Sequence, residues 1–404
     1  MNQILHFGPG NFFRAHLADY TQDLGGWSIT GVSLRSSGVR DGLSAQGNRY
    51  TLAVQGQAPR DIRIIDSIIV GSENPRTVLD HIADARFPVI SATVTEKGYH
   101  LLANGHLDLL DPDIAHDLLS DSPRTFIGFL ARGLAKREAP VTVLSCDNRI
   151  GNGNALAQAI EEFQNTSGLT TRCQVSFPNG MVDRITPATT AELRTKTGDA
   201  MAVGCEPYKE WVIEDRFVSM RPNWPGVQWV QDVAPYEMRK LRMLNGAHSY
   251  LAYAGSLAGF TFVHEAIADP DLRQSVRGLM NEAATTLPKE VRSEASTYAD
   301  TLLDRFDNIY IQHKLRQIAM DGSQKVPYRL IDSIRARLAS DLTAPHLCAA
   351  VKAWIDFIAQ ETSQGRKLED PLADALAGTV SADNPTAAVL DLIGAADITS
   401  QFSE

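Results

Sequence analysis

Two kinds of hydrophobic periodicity divide the chain. In the first half, short apolar runs alternate with helical stretches. Residues 4–7 read as a strand, a glycine-containing turn over 8–16 leads into a helix ending at Leu24, and residues 27–34 read as a second strand. Residues 88–95 and 140–146 are nearly continuous apolar runs, the kind buried on both faces in a parallel sheet, and a helix is predicted over 155–165. Strands alternating with helices predict a doubly wound α/β sheet. From Val233 onward the strand signals fade, and helical patterns take over at 237–257, 271–287, 294–305, 328–338 and 344–360. The change falls after the Pro/Trp-rich stretch 221–226, which predicts two domains, 1–230 and 231–404.

The first helix of the second half carries an unusual polar face. Winding residues 235–248 at about 100° per residue, with Lys240 at zero, puts Glu237 near about 60°, His248 near about 80° and Asn245 near about 140°. A lysine, a carboxylate, an imidazole and an amide then share one sector with Leu241 and Leu244. Polar groups on a half-buried face are costly unless paired or used. This set suits carbonyl chemistry: an amine that moves a proton, an amide that steadies an oxyanion, and a histidine that orients a hydroxyl. The plainer reading is a polar stripe facing solvent.

At the N-terminus, Gly8 and Gly10 follow a strand and precede a helix, as in the turn that brings backbone against a dinucleotide pyrophosphate. Phe13 stands where that fingerprint has its third glycine, and a strand–helix turn often carries two glycines for its own geometry. At the end of the second predicted strand the usual ribose-binding acid is absent. Arg35 and Ser36 stand there instead, which leaves NADP open beside NAD.

Composition narrows the class. The 404 residues are 44% hydrophobic and 21% charged, long enough for two sizeable cores. A net charge of −10 argues against nucleic acid as a partner. Cys146, Cys173, Cys205 and Cys348 are scattered without zinc-ligand spacing and read as reduced thiols. His6, His16, His100, His264, His313 and His346 are likewise scattered and read as structural, so no metal site is expected. The chain begins without a basic and apolar leader and contains no 18-residue apolar run, so a cytoplasmic protein without membrane contact is expected. Metalloprotease, α/β-hydrolase and P-loop motifs are missing, and Tyr-x-x-x-Lys occurs twice in unsuitable places.

Longer blocks carry a resemblance. They are His6-Phe-Gly-Pro-Gly-Asn-Phe-Phe-Arg-Ala-His16, Thr93-Val-Thr-Glu-Lys-Gly-Tyr99, Ser145-Cys-Asp-Asn148 with Asn152-Gly153, and Phe177-Pro-Asn-Gly-Met-Val-Asp-Arg-Ile185. Glu206-Pro207, Trp211-Val-Ile-Glu-Asp215, Lys240-Leu-Arg-Met-Leu-Asn-Gly-Ala-His248 and Ile318-Ala-Met-Asp-Gly-Ser-Gln-Lys325 follow in order. In these blocks the chain resembles the mannitol dehydrogenase family of polyol-specific long-chain dehydrogenases and reductases. The resemblance implies a Rossmann-type dinucleotide-binding domain followed by a mostly α-helical domain, with metal-independent hydride transfer in a cleft between them. It makes Lys240 the general acid/base, its pKa depressed by burial. Asn179 and Asn245 become donors to the reacting oxygen, His248 binds a neighbouring hydroxyl, and Glu237 relays the proton. Gly8, Gly10, Asn11, Phe12, Arg35, Ser36, Thr95, Glu96 and Asn148 are expected along the coenzyme, and Asp215, Gln317 and Lys325 at the sugar chain. Asp147, Asn148, Asp183 and Arg184 also suit a purely loop-fixing role.

The departures bear on substrate. Polyol-acting members tend to carry arginine where this chain has Gln317, which points to the uronate reductases, whereas Asn179 is the residue of the mannitol enzymes. The expected activity joins an aldonate or sugar alcohol to its ketouronate or ketose. Mannonate/fructuronate comes first and mannitol/fructose is the rival. A sugar- or nucleotide-binding regulator that has lost catalysis is the remote alternative. A small-molecule substrate is the only partner expected, and the sequence sets no oligomeric state, a monomer included.

Overall fold

The computed structural model describes residues 2–102 and 104–402, apart from the side chain of Glu96. It divides into two compact units, Met1–Ala234 and Pro235–Glu404.

The first unit holds strands β1 (Asn2–Phe7), β2 (Trp27–Ser33), β3 (Tyr50–Val54), β4 (Arg60–Ile62), β5 (Ile65–Val70), β6 (Val89–Ala92), β7 (Val141–Ser145) and β8 (Val175–Ser176). It continues with β9 (Gly180–Asp183), β10 (Val203–Cys205), β11 (Glu210–Glu214) and β12 (Gln228–Val230). Six of these form one sheet in the order β5-β2-β1-β6-β7-β8, every pair parallel. This is the Rossmann arrangement, and its strand order reverses between β1 and β6. Successive side chains of a strand face opposite ways. Accordingly, Ile4 joins a core with Ile29, Val89 and Leu144 on one face, while Leu5 and Phe7 join Val32, Ile90 and Val143 on the other. Two small three-stranded sheets, β10-β3-β4 and β12-β11-β9, complete the unit.

The second unit is helical. Its central helix, Gly246–Leu257, is buried on nearly every side and packs against Pro270–Thr285, Leu315–Ile318 and Pro345–Ser363. That burial explains why its composition is apolar all round rather than striped. The helix over 237–257 expected from sequence is continuous but not uniform. It runs as an α-helix over Ala234–Arg239, a π-helix over Lys240–Asn245 and an α-helix again from Gly246. A second π-helix, Pro327–Ile331, packs against the first. Here the cause is in the sequence. Pro327 has no N–H to return to the preceding turn, and its ring crowds the carbonyl there, so the helix widens locally. No helix among the described residues is long and apolar enough to cross a membrane.

Candidate active site

The carboxyl ends of the parallel strands bring together most of the residues expected along the coenzyme. Gly8 follows β1 at φ +88°, and a Cβ there would sit 2.4 Å from the Thr93 carbonyl oxygen, so only glycine lets β1 and β6 end side by side. Gly10 is exposed, and a Cβ on it would meet nothing closer than the Gly8 carbonyl at 4.0 Å, which leaves its outer face open to a ligand. Phe13, in the third-glycine position, is fully buried and stacks on His6 with ring centroids 3.9 Å apart. Helix and strand therefore meet through an aromatic pair instead of through a glycine. His6 pins β1 to β6, with Nδ1 2.9 Å from Ser91 Oγ and Nε2 3.0 Å from Thr93 Oγ1. Burial lowers its pKa to about 3, so the ring is neutral.

The strand expected over 88–95 stops at Ala92. Thr95 has φ +66° and ψ 166°, a strained conformation for a β-branched residue. Asp147, just after β7, holds the turn in place: its carboxylate accepts Val94 N at 3.3 Å, Thr95 N at 2.9 Å and the Tyr99 hydroxyl at 3.0 Å. Asp147 thus fixes the loop, while Thr95 and Asn148 are exposed beside it at the sheet edge. Asn11 and Phe12 are half-buried. Asn11 spends its amide on Thr189 (3.1 Å) and Arg14 (2.7 Å), and Phe12 stacks on His16. Arg35 and Ser36 lie exposed beyond β2, with the Arg35 guanidinium 2.5 Å from Asp113. Glu96 contributes no described side chain.

Asn179 sits at the start of β9 and is 6% exposed. Its Oδ1 accepts the Asn154 amide at 2.9 Å, capping the first turn of the helix Asn152–Ser167. Its Nδ2 donates to Glu214 Oε1 at 3.2 Å, and its backbone N–H donates to Glu214 Oε2 at 3.0 Å. The sequence analysis did not single out Glu214. The available signal was a strand, Glu210–Glu214, with buried glutamates at both ends. Asp215, expected at the sugar chain, is instead paired with Arg221 at 2.6 Å.

In the second unit Glu237, Lys240 and His248 are buried and Asn245 is half-buried. A π turn closes i→i+5 hydrogen bonds, so each residue advances the helix by less than the α value. Asn245 and His248, about 140° and about 80° away on the ideal α wheel, therefore fall back toward the phase of Lys240. Gly246 permits the close packing of the two π turns, since a Cβ on it would lie 3.3 Å from the Arg329 carbonyl. His248 contacts Phe306 (4.7 Å between centroids) and His313 (5.5 Å) and makes no side-chain hydrogen bond among the described residues. Burial first, then His313, Arg305 and Arg329, hold its pKa well below the usual value. His313, read from sequence as structural, is thus His248's neighbour, and Arg305 and Arg329 were not singled out there at all. Lys325 donates to the Met320 carbonyl at 2.7 Å, and Gln317 is exposed. No group of three or more His, Cys, Asp or Glu side chains that could hold a metal ion occurs among the described residues.

Comparison with known proteins adds independent findings. The sequence model of the mannitol dehydrogenase Rossmann domain matches residues 2–226, and that of the mannitol dehydrogenase C-terminal domain matches 232–401. D-mannonate oxidoreductase of Escherichia coli (strain K12) is 38% identical, over 92% of this chain and 83% of that protein. Mannitol 2-dehydrogenase of Pyrenophora tritici-repentis (strain Pt-1C-BFP) is 37% identical, over 92% of this chain and 72% of that protein. The solved structure of Pseudomonas fluorescens mannitol 2-dehydrogenase, a ternary complex with NAD and D-mannitol, matches with a TM-score of 0.81 and 33% identity. That match covers 99% of this chain and 90% of the other.

Proposed function

The chain belongs to the mannitol dehydrogenase family, and from that premise we propose that it is an NAD-dependent oxidoreductase of aldonates and sugar alcohols. It converts a secondary alcohol of the substrate to the ketone of a ketouronate or ketose, and back. The observation that carries this reading is Lys240, a buried amine on a π turn that brings Asn245 and His248 toward its own phase. π turns inside α-helices occur frequently at functional sites.

The first unit fits NAD. The Gly8 turn cannot accept a side chain, Gly10 is open, and both lie where the strand order reverses, the usual position of a dinucleotide. When bound, the coenzyme takes the hydride from the carbinol carbon. The chain's own residues handle the remaining charge. Lys240, as the neutral amine, accepts the hydroxyl proton, and Asn245 and Asn179 donate hydrogen bonds to the oxygen as it gains charge. His248, neutral and with unspent hydrogen-bonding capacity, binds an adjacent hydroxyl. Glu237, one turn before Lys240, passes the proton to solvent. The pairing of Arg35 with Asp113 occupies the group that a 2′-phosphate would need and supports NAD over NADP.

An aldonate of the mannonate type is the favoured substrate. Arg305 and Arg329 both act electrostatically on His248, so this part of the second unit suits an anion better than a neutral polyol. The relatedness to mannitol 2-dehydrogenases and the amide of Asn179 keep mannitol as the second reading. A panel of mannonate, altronate, mannitol and arabinitol, followed by NADH and NADPH absorbance, tests both. Mannonate with NAD should give the highest kcat/KM. A mannitol preference would transfer the assignment to the second reading, and coenzyme binding without any turnover would replace it with a silent binding protein.

A further inference from the structure

Asparagine donates only if its amide faces the right way, and that direction is set at the junction of two strands. β11 runs antiparallel to β9 with Ile213 opposite Gly180. The next pair is Glu214 opposite Asn179, and Glu214 N continues the ladder to the Asn179 carbonyl at 3.0 Å. In a regular ladder Asn179 N would return the bond to the Glu214 carbonyl. It goes instead to the Glu214 side chain, at Oε2, while Oε1 takes Asn179 Nδ2. One carboxylate therefore receives two N–H groups of the same asparagine, and Arg216, 2.6 Å from Oε2, balances its charge.

The backbone around Asn179 has little room to adjust. A Cβ on Gly153 would lie 2.5 Å from the carbonyl oxygens of Phe177 and Pro178, and Asn152 bonds Gly180 through both ends of its amide, at 2.7 and 3.0 Å. What remains free is the rotation of the Asn179 amide. A half-turn would set Oδ1 against the carboxylate and the NH₂ group against the Asn154 N–H, two repulsions in place of two bonds. In the observed state Oδ1 and one Nδ2 hydrogen are spent, which leaves a single amide hydrogen without a partner among the described residues.

We infer that Glu214 is a positioning residue for the reaction: it holds the Asn179 amide in one flip state, so that its remaining N–H meets the reacting oxygen. This rests on the reading of Asn179 as a donor to that oxygen. Glu214→Gln removes one of the two acceptors and offers an NH₂ group to which a flipped Asn179 can bond, so the competent state loses population.

The test compares Glu214→Gln, Asn179→Ala and the double variant by kcat, substrate KM, NADH affinity and melting temperature. Asn179→Ala should lower kcat by about 10²-fold or more, the scale of losing one oxyanion donor. Glu214→Gln should lower kcat about 10-fold through the reduced competent fraction, with KM and NADH affinity within about twofold of the parent. Combined with Asn179→Ala, Glu214→Gln should add nothing further. A folded Glu214→Gln with normal kcat overturns the inference, as does an undiminished loss in the Asn179→Ala background. Normal kcat in Asn179→Ala alone instead sinks the donor reading beneath it. If Glu214→Gln does not fold, the parent protein with ¹⁵N-asparagine labelling decides. The two Nδ2 protons, assigned by their loss in Asn179→Ala, should differ, one being shifted downfield and slow to exchange. Two equivalent, fast-exchanging protons would overturn the inference.

Discussion

His6 in the first unit and His248 in the second are both buried and both neutral, yet they differ in what their nitrogens do. His6 has each nitrogen within hydrogen-bonding distance of a hydroxyl and its ring stacked on Phe13, so all its capacity goes into joining β1 to β6. His248 touches only rings and lies in the field of two arginines, with its hydrogen-bonding capacity unspent among the described residues. Burial and a lowered pKa therefore do not separate a structural imidazole from a functional one. The hydrogen-bond inventory does, because a buried group left unsatisfied is costly unless a ligand completes it.

The strongest way to break this comparison is Lys240→Ala. If the second unit's polar face performs the proton transfer, turnover should fall by about 10²–10⁴-fold while NADH affinity, set at the carboxyl edge of the first unit's sheet, stays near the parent value. Near-normal turnover would remove the whole face from the mechanism. The histidines themselves come next. His248→Ala should lower kcat/KM by roughly 10–100-fold with a small change in melting temperature, the scale of one lost substrate hydrogen bond. His6→Ala should do the reverse, costing about 2–3 kcal/mol of stability by leaving Ser91 and Thr93 unpaired and losing the stack, with kcat unchanged at low temperature. Exchanged outcomes would refute the comparison.

The smallest effect is in pH dependence. His6 titrates at about 3 when folded, against the ordinary 6.5 when unfolded. Between those values the unfolded chain binds a proton that the folded chain does not. Stability therefore rises with pH across that window and is lost as pH falls below about 6.5, by up to about 1.4 kcal/mol per pH unit for one such group. Urea unfolding at pH 7.0 and 5.5 should show a smaller drop for His6→Gln than for the parent. An equal drop would mean that His6 is accessible to protons in the folded state.

The alternation of strands and helices was legible because buried parallel strands are continuous apolar runs, as in β6 and β7. The ends of such runs were not. Val94 and Thr95 look like strand, but their amides are claimed by Asp147, fifty residues away in sequence, and no local pattern reports a distant carboxylate. The polar face of 235–248 was legible as chemistry but was drawn on an ideal α wheel, which cannot show a π turn. Glu214 stayed hidden for a related reason. It follows three apolar residues at a strand end, and its meaning lies in the register with β9, which only the folded pair defines.

The π turn over Lys240–Asn245 makes chain length itself a functional variable. Deleting one residue there would restore an α-helix that every propensity scale accepts, with the same lysine, asparagine and histidine in the same order. Everything beyond the deletion would nonetheless be rotated by about 100° relative to what precedes it. A relative that retains those three residues but has a gap between Lys240 and His248 would then carry the letters of the site without its geometry. In this stretch the spacing of the residues has to be compared along with their identities.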